Sequence, residues 1–162
     1  MIVFIHGVPD TPALWQPLVG ALGLQPADYS APALPGFGTP VPPGFACTKD
    51  AYADHFVRHI ETLGTKVDLV GHDWGALIAL RVASLRPDLI RTWCVTNAVI
   101  DPEYRGHTTA RRWATPLLGE LVMLGMRNKP RLEAALVQGG MPAALAAEEV
   151  PQIDKTMRQS IL

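Results

Sequence analysis

This chain of 162 residues has few cysteines, no long apolar run and no basic leader, and each shortage argues against a class of protein. Its two cysteines, Cys47 and Cys94, are far apart and lack the spacing of metal ligands, so we expect reduced, buried thiols in a cytoplasmic protein. No apolar run reaches the roughly 18 residues that suggest a membrane span, so no membrane partner is predicted. The N-terminus, MIVFIHGVPD, lacks a basic region and a cleavage site, and we interpret it as a strand.

The chain also lacks an excess of charge of either sign. Fourteen Lys and Arg against 15 Asp and Glu give a formal net charge of −1, so steering toward nucleic acid or acidic lipid is not expected. Basic residues in the second half are not interleaved with aromatics, which argues further against nucleic-acid binding. With 48% apolar and 18% charged residues, the composition is that of a globular chain long enough to bury a core.

Strand-like and helix-like segments alternate over residues 1–101. Helical spacing predicts helices after Thr11, from about residue 48 to Leu63, and over 75–86. Short apolar runs predict strands at 2–5, 28–34, 67–70 and 92–96. Alternation of this kind predicts an α/β fold with a parallel sheet of about four strands flanked by helices.

Residues 102–162 have a different character. They are helix-like and rich in Ala, Leu and Arg, with five prolines among them, and no further strand is predicted there. We therefore divide the chain into an α/β core, residues 1–101, and a helical segment, residues 102–162.

The stretch Gly71-His72-Asp73-Trp74-Gly75 joins the third strand to the helix that follows. A strand that runs directly into a helix forces a tight turn, and this turn presents Asp73 beside the positive end of the helix dipole. A carboxylate is a weak nucleophile in acyl transfer but a competent one at saturated carbon. The site therefore predicts attack by Asp73 on an epoxide or an alkyl halide, which gives an alkyl ester of the protein.

Water must then cleave that ester, a step that needs a general base and hydrogen-bond donors for the oxyanion. The backbone N–H groups of Trp74 and Val8 are the candidate donors, one from the turn and one from the loop after the first strand. This chemistry implies no metal and no organic cofactor. The predicted partner is a small apolar substrate.

Three motifs carry a resemblance to a known family. His6-Gly7-Val8-Pro9-Asp10, the loop 34–38 and the 71–75 turn are similar in order and spacing to the α/β-hydrolase superfamily. The Asp-Trp pair resembles its epoxide hydrolase and haloalkane dehalogenase branches. The resemblance implies a partial α/β-hydrolase fold over 1–101 and a helical cap over 102–162. It also implies a substrate site formed by His6, Gly7, Pro9 and Trp74.

Two details of the sequence distinguish the epoxide hydrolase branch from the haloalkane dehalogenase branch. Haloalkane dehalogenases usually place a halide-binding Asn where this sequence has Val8, although the Trp74 indole could still serve a leaving halide. The His-Gly-x-Pro-Asp form is more similar to epoxide hydrolases, in which cap tyrosines protonate the epoxide oxygen, and Tyr104 is the candidate here. We expect an epoxide hydrolase, with a haloalkane dehalogenase as the alternative.

The acid and histidine that complete the family's triad have no match in this chain. The histidines are His6, His55, His59, His72 and His107. We consider, in this order, a fragment, a naturally shortened protein and recruitment of His107 as base. A catalytically incomplete domain that binds or assembles is the alternative of a different class.

Two further expectations concern surfaces rather than the triad. Strand 92–96 would lie at an open sheet edge, so we expect self-association through that edge. His55 and His59 have the i, i+4 spacing of a metal pair, but without a third ligand a solvated helix face is favoured.

Overall fold

A four-stranded parallel sheet forms the centre of the computed structural model, which describes residues 1–98, 100–101, 103–104 and 108–160. The strands follow the order β2-β1-β3-β4, and every pairing is parallel. Their bounds are β1 Ile2–Ile5, β2 Tyr29–Ser30, β3 Val67–His72 and β4 Ile90–Thr96. The predicted α/β class is confirmed. The second strand is shorter than predicted because Pro32 has no N–H for the ladder.

Helices cover both faces of this sheet. The first predicted helix begins instead as a 3-10 turn, Pro12–Trp15, and Pro17 falls in the first turn of the α-helix after it, where proline is tolerated. The α-helices are α1 Gln16–Leu22, α2 Lys49–Thr62, α3 Trp74–Leu85, α4 Thr108–Ala114, α5 Leu118–Gly125, α6 Lys129–Gln138, α7 Ala143–Glu149 and α8 Lys155–Gln159. Among the described residues, no helix is long and apolar enough to cross a membrane.

The apolar core has two parts, one on each face of the sheet. Phe56 of α2, Leu69 of β3 and Ile78 of α3 are fully buried in the larger part. On the opposite face Phe4 stacks on Trp15, with ring centroids 4.8 Å apart. Because side chains alternate along β3, His72 lies on this second face, together with Asp68 and Val70.

The helical segment packs onto the same core. Ile153 and Met157 are 2% and 0% exposed and belong to the larger cluster, so these helices bury apolar surface against the sheet domain. Prolines lie at the starts of elements in this region rather than inside them, since Pro130 is in the first turn of α6 and Pro142 is the N-cap of α7. The boundary that we draw after Asp101 stays a prediction.

Two buried or half-buried cations connect the helices of this segment. Arg158 of α8 donates from Nε to the Trp113 carbonyl and from Nη1 to Glu120, both at 2.9 Å. Lys129 of α6 donates to the carbonyls of Val150 and Ile153, at 2.9 and 2.7 Å. Three of these bonds bring side-chain donors to backbone carbonyls at or near the ends of helices.

Strand β4 forms one edge of the sheet, and its exposure corrects the expectation of buried thiols. Cys94 is exposed rather than buried, and its neighbour Trp93 is 54% exposed. Trp93 pairs in register with the buried Leu69, so both side chains point to the same face, but Trp93 itself is left largely uncovered at the edge. Within the described part of the chain, no fifth strand pairs with β4.

Candidate functional site

Asp73 occupies a strained backbone position between β3 and α3. Its φ of 52° and ψ of −119° lie outside the regions that a residue with a Cβ ordinarily adopts, a conformation that costs on the order of 1–3 kcal/mol. Two backbone hydrogen bonds hold the turn: the Asp73 N–H donates to Thr96 of β4 at 3.0 Å, and Ala76 N–H donates to the Asp73 carbonyl at 3.1 Å. The result is a half-buried carboxylate at the carboxyl end of the central strand.

Glycines allow backbone segments to approach closely around this turn. A Cβ at Gly75 would overlap the carbonyl oxygens of Ile5 and His6, which belong to β1 and the loop after it. A Cβ at Gly71 would lie 2.6 Å from the Gly75 carbonyl oxygen. Gly75 therefore allows α3 to approach β1, and Gly71 allows the start of α3 to fold back onto β3.

The loop after β1 brings a backbone donor to the carboxylate. Val8 N–H donates to Oδ2 of Asp73 at 3.0 Å. A Cβ at Gly7 would lie 2.5 Å from the Asp73 Cβ, so glycine permits this approach. Among the described residues no donor binds the second oxygen, Oδ1. One carboxylate oxygen is thus held in place while the other remains available.

The other predicted donor, the Trp74 N–H, belongs to the first residue of α3. An N–H in the first turn of a helix has no intrahelical acceptor, so this group can serve an external oxygen. The Trp74 ring packs edge-to-face on Tyr52, with centroids 4.8 Å apart. Tyr52 is itself fixed, because its hydroxyl lies 2.8 Å from the Pro35 carbonyl and 3.0 Å from that of Ser160. Burial raises the pKa of the Tyr52 hydroxyl.

His6 lies beneath the loop, and the substrate-binding role that the resemblance implies for it stays a prediction. The side chain is fully buried, Leu34 N–H donates to its Nε2 at 3.0 Å, and its Nδ1 lies 3.0 Å from the Gly7 carbonyl. Since Nε2 accepts, the ring is neutral and Nδ1 donates. Burial lowers the pKa of His6 to about 4. His6 therefore positions the loop that carries Val8.

The burial of His6 predicts a loss of stability in acid. The unfolded ring has a pKa of 6.5 and the folded one about 4, so the unfolded state binds an extra proton between these values. The contribution is fully present above pH 6.5 and is lost as the pH falls toward 4, by about 3 kcal/mol in all. Urea unfolding of the wild type and His6→Gln will measure it.

The comparison between these two proteins isolates His6, because both retain every other titrating group. The wild type should lose more unfolding free energy than His6→Gln as the pH falls through this window. Equal losses in the two proteins would contradict the assignment of a neutral buried ring.

His72 connects the turn to the same loop from the other face of the sheet. Its Nδ1 lies 3.6 Å from Oδ2 of the buried Asp10, and its Nε2 lies 3.1 Å from the Asn97 side-chain amide. The Nδ1 distance is too long for a good hydrogen bond and describes an ion pair when the ring is protonated. The Asp10 carboxylate raises the pKa of His72.

A buried carboxylate from the helical segment reaches this region as well. Oε1 of Glu149, at the end of α7, accepts hydrogen bonds at 3.1 Å from both the N–H and the hydroxyl of Thr11. Burial raises the pKa of Glu149. We did not single out Glu149 in the sequence, since no local pattern indicates a contact between residues 138 positions apart.

The remaining predicted site residues have less structural context. Pro9 follows Val8 through a cis peptide bond and is half-buried. Tyr104 is 44% exposed, and its side chain makes no hydrogen bond or ring contact with the described residues. His107 lies outside the described residues. No histidine in the described part of the chain makes a hydrogen bond to Asp73, and a general base is therefore not identified.

Among the described residues, no group of three or more His, Cys, Asp or Glu side chains is placed to bind a metal ion. His59, one of the two histidines at i, i+4 spacing, instead places its Nε2 2.9 Å from the Ser30 hydroxyl.

A parallel α/β sheet with a carboxylate on the turn after its central strand, and a donor from the loop after β1, describes a hydrolase-type α/β fold. A profile of the alpha/beta hydrolase family matches residues 2–160, and the chain belongs to that family. It is 28% identical to a haloalkane dehalogenase of Bradyrhizobium diazoefficiens over 93% of this chain and 53% of the relative. It is 34% identical to epoxide hydrolase 2 of Siraitia grosvenorii, over 56% of this chain and 29% of the relative.

Solved structures share the fold. The epoxide hydrolase from Vigna radiata superposes with a TM-score of 0.75 at 21% identity, covering 99% of this chain and 64% of the plant enzyme. A haloalkane dehalogenase loop variant from Bradyrhizobium elkanii gives 0.71 at 23% identity, with 99% and 59% covered. The chain therefore spans about half the length of the dehalogenase relative and about 60% of these structures.

Proposed function

We propose that this chain carries the nucleophilic half of a hydrolase that works through an alkyl ester of Asp73, with epoxides as the substrate class. The main support for this proposal is the 3.0 Å hydrogen bond from Val8 N–H to Oδ2 of Asp73, whose carboxylate lies on a strained turn. This bond distinguishes the two oxygens of Asp73. Relatives named as epoxide hydrolases and haloalkane dehalogenases support the class of reaction.

In the first step Oδ1 attacks a saturated epoxide carbon. The C–O bond of the epoxide breaks, and its electron pair stays on the epoxide oxygen, which takes a proton from an acid. Tyr104 is the candidate acid by its position after β4. The neutral ester that forms keeps Oδ2 as its carbonyl oxygen, still beside Val8 N–H. Holding Oδ2 also fixes the direction from which Oδ1 attacks.

In the second step water attacks the ester carbonyl carbon. Negative charge then develops on Oδ2, where the Val8 N–H already points and where the Trp74 N–H at the start of α3 can add a second donor. Collapse of this intermediate releases a diol and restores the Asp73 carboxylate. A base outside the described residues must take the proton of the water. We therefore expect ester formation to be faster than ester hydrolysis in this chain.

Epoxides are preferred over haloalkanes on chemical grounds. A departing halide needs donors where it leaves, and Val8 offers only an aliphatic side chain there, while its N–H is committed to Asp73. An epoxide oxygen stays attached to the product and requires a single proton. The alternative, haloalkane dehalogenation with the Trp74 indole as halide donor, receives support from the relatives of that name.

A single measurement tests the proposal and its alternative together. The chain is incubated with styrene oxide and, separately, with a 1-bromoalkane, and the intact protein is weighed. A stable adduct with the epoxide supports the proposal, and an adduct with the bromoalkane alone supports the dehalogenase reaction. Absence of an adduct with either reagent would refute the aspartate mechanism for this chain.

An assembly role is the second candidate, and the open edge of β4 favours it. Strand β4, the seven residues Ile90–Thr96, has no pairing strand on one side within the described ranges, and Trp93 adds exposed apolar surface. Open edges of this kind pair with other strands. We propose that two copies associate through β4, in an antiparallel arrangement if the pair is two-fold symmetric.

Self-association predicts a particle larger than one chain in light scattering at micromolar concentration. Trp93→Lys should shift the population toward monomer, because a charge on an edge strand opposes pairing. Leu22→Lys is the matched control, since Leu22 is an exposed apolar residue, 57% exposed, on α1. A sharp monomer for the wild type, or equal behaviour of both variants, would count against this interface.

A further inference from the structure

A cleft away from Asp73 is formed between α2 and the segment 32–39. Its volume is about 500 Å³, within the range of small-molecule sites. The side chains around it include three basic groups and no acidic group. The lining residues are Pro32, Ala33, Thr39, His55, Arg58, His59 and Thr62.

Arg58 is one of several exposed arginines without an ion pair among the described residues, and it is the one that lines this cleft. Arg81, Arg86, Arg91 and Arg158 each form an ion pair with a carboxylate. Arg58 is exposed, and among the described residues its side chain makes no hydrogen bond and no ion pair. Asp54, one turn earlier on α2, is not within ion-pair distance. A guanidinium presents N–H donors in a planar fork that matches the oxygens of carboxylate and phosphate groups.

The two histidines supply further donors beside Arg58. His59 is held by Ser30, whose hydroxyl lies 2.9 Å from its Nε2. The His55 ring is held by edge-to-face contacts with Phe45 and Phe56, at 6.3 and 5.6 Å, which leave its ring nitrogens without a hydrogen bond among the described residues. Burial lowers the pKa of both histidines, so at neutral pH they are uncharged and each carries one N–H.

We propose that this cleft binds a small molecule through an oxyanion group, with Arg58 as the charged donor and His55 as a neutral one. Thr39 and Thr62 do not add donors, because their hydroxyls already donate to the carbonyls of Leu34 and His59. Arg58 therefore carries the only full charge that an anion meets in the lining at neutral pH. The site lies apart from Asp73 and does not depend on the proposed hydrolase function.

Titration of the full chain with inorganic phosphate and with acetate, at constant ionic strength, tests the proposal. Binding is followed by the ring-proton NMR signals of His55 and His59, and we expect both to shift. Arg58→Gln should weaken binding at least ~10-fold, since it removes the charge-assisted bonds. Arg131→Gln removes the same charge from another exposed arginine and should bind as the wild type does.

The two probes distinguish the sources of the oxyanion, because preference for phosphate indicates a phosphate ester and preference for acetate a carboxylic acid. Either preference supports the site. The proposal is overturned if neither anion shifts the histidine signals, if chloride produces the same shifts, or if Arg58→Gln binds as tightly as the wild type. An unchanged amide spectrum of Arg58→Gln away from the cleft shows that the variant is folded.

Discussion

Asp73→Asn should abolish formation of the covalent adduct with an epoxide. The substitution keeps the shape of the side chain and leaves an amide oxygen to accept from Val8 N–H, so the turn can persist. An amide is not a nucleophile at saturated carbon under these conditions, and the expected loss is complete rather than partial. Intact mass measured over time, wild type against variant, gives the result directly.

The residue that carries the adduct can be identified by tryptic digestion and peptide fragmentation. Trypsin cleaves after Lys66 and Arg81, and the peptide 67–81 contains both Asp68 and Asp73. Asp68 is engaged by the Arg91 guanidinium, which lowers its pKa to about 2, and by the Thr92 hydroxyl at 2.8 Å. Fragmentation of the peptide should therefore place the added mass on Asp73.

Asp54→Asn serves as the matched control, because Asp54 is an exposed carboxylate on α2, away from the turn. It should form the adduct at the wild-type rate. An adduct that persists in Asp73→Asn, or that disappears in Asp54→Asn as well, would show non-specific alkylation and remove the basis for the nucleophile assignment.

Local patterns in the sequence were sufficient for the sheet and for the turn at Asp73. The apolar runs and the glycines at 71 and 75 are short-range signals, and they predict a parallel sheet whose third strand ends in a sharp bend. The proximity of Val8 to Asp73 followed from the topology, since β1 and β3 are neighbours whose carboxyl ends meet at one edge.

Contacts between distant segments could not be predicted in this way. Glu149 binds Thr11, and Ser160 binds Tyr52, across 138 and 108 positions of the chain, and no periodicity encodes which helix packs on which loop. The hydrogen-bond partners of His6 could not be predicted for the same reason. The His-Gly pair indicated a loop near the substrate, but only the packing shows that Leu34 and Gly7 occupy both ring nitrogens.

The electrostatic surroundings of the turn also depend on these distant contacts. Asp10, His72 and Glu149 come from three separate segments, and the buried Asp10 carboxylate acts on the pKa of the other two. Asp10 raises the pKa of His72, while burial, reinforced by Asp10, raises that of Glu149. The loop that carries Val8 is therefore held by His6 below and by these groups on the other face of the sheet.

Gly75→Ala should destabilise the chain more than any exposed substitution. The added Cβ would overlap backbone oxygens of Ile5 and His6, and backbone of a central strand cannot move aside as a flexible side chain can. We expect a loss of about 3 kcal/mol in the free energy of unfolding, a large part of the 5–15 kcal/mol typical of a domain. Urea unfolding followed by circular dichroism measures this loss.

Gly20→Ala is the matched control for this prediction. Gly20 lies in α1, and a Cβ there would meet nothing within 4 Å. Alanine has the higher helix propensity, so this variant should be more stable than the wild type by about 0.5–1 kcal/mol. If Gly→Ala lowers the free energy of unfolding at position 75 and raises it at position 20, the close approach of α3 to β1, rather than glycine content, limits stability. If Gly75→Ala unfolds within about 0.5 kcal/mol of the wild type, α3 does not approach β1 as closely as described, and the geometry that brings Val8 to Asp73 loses its support.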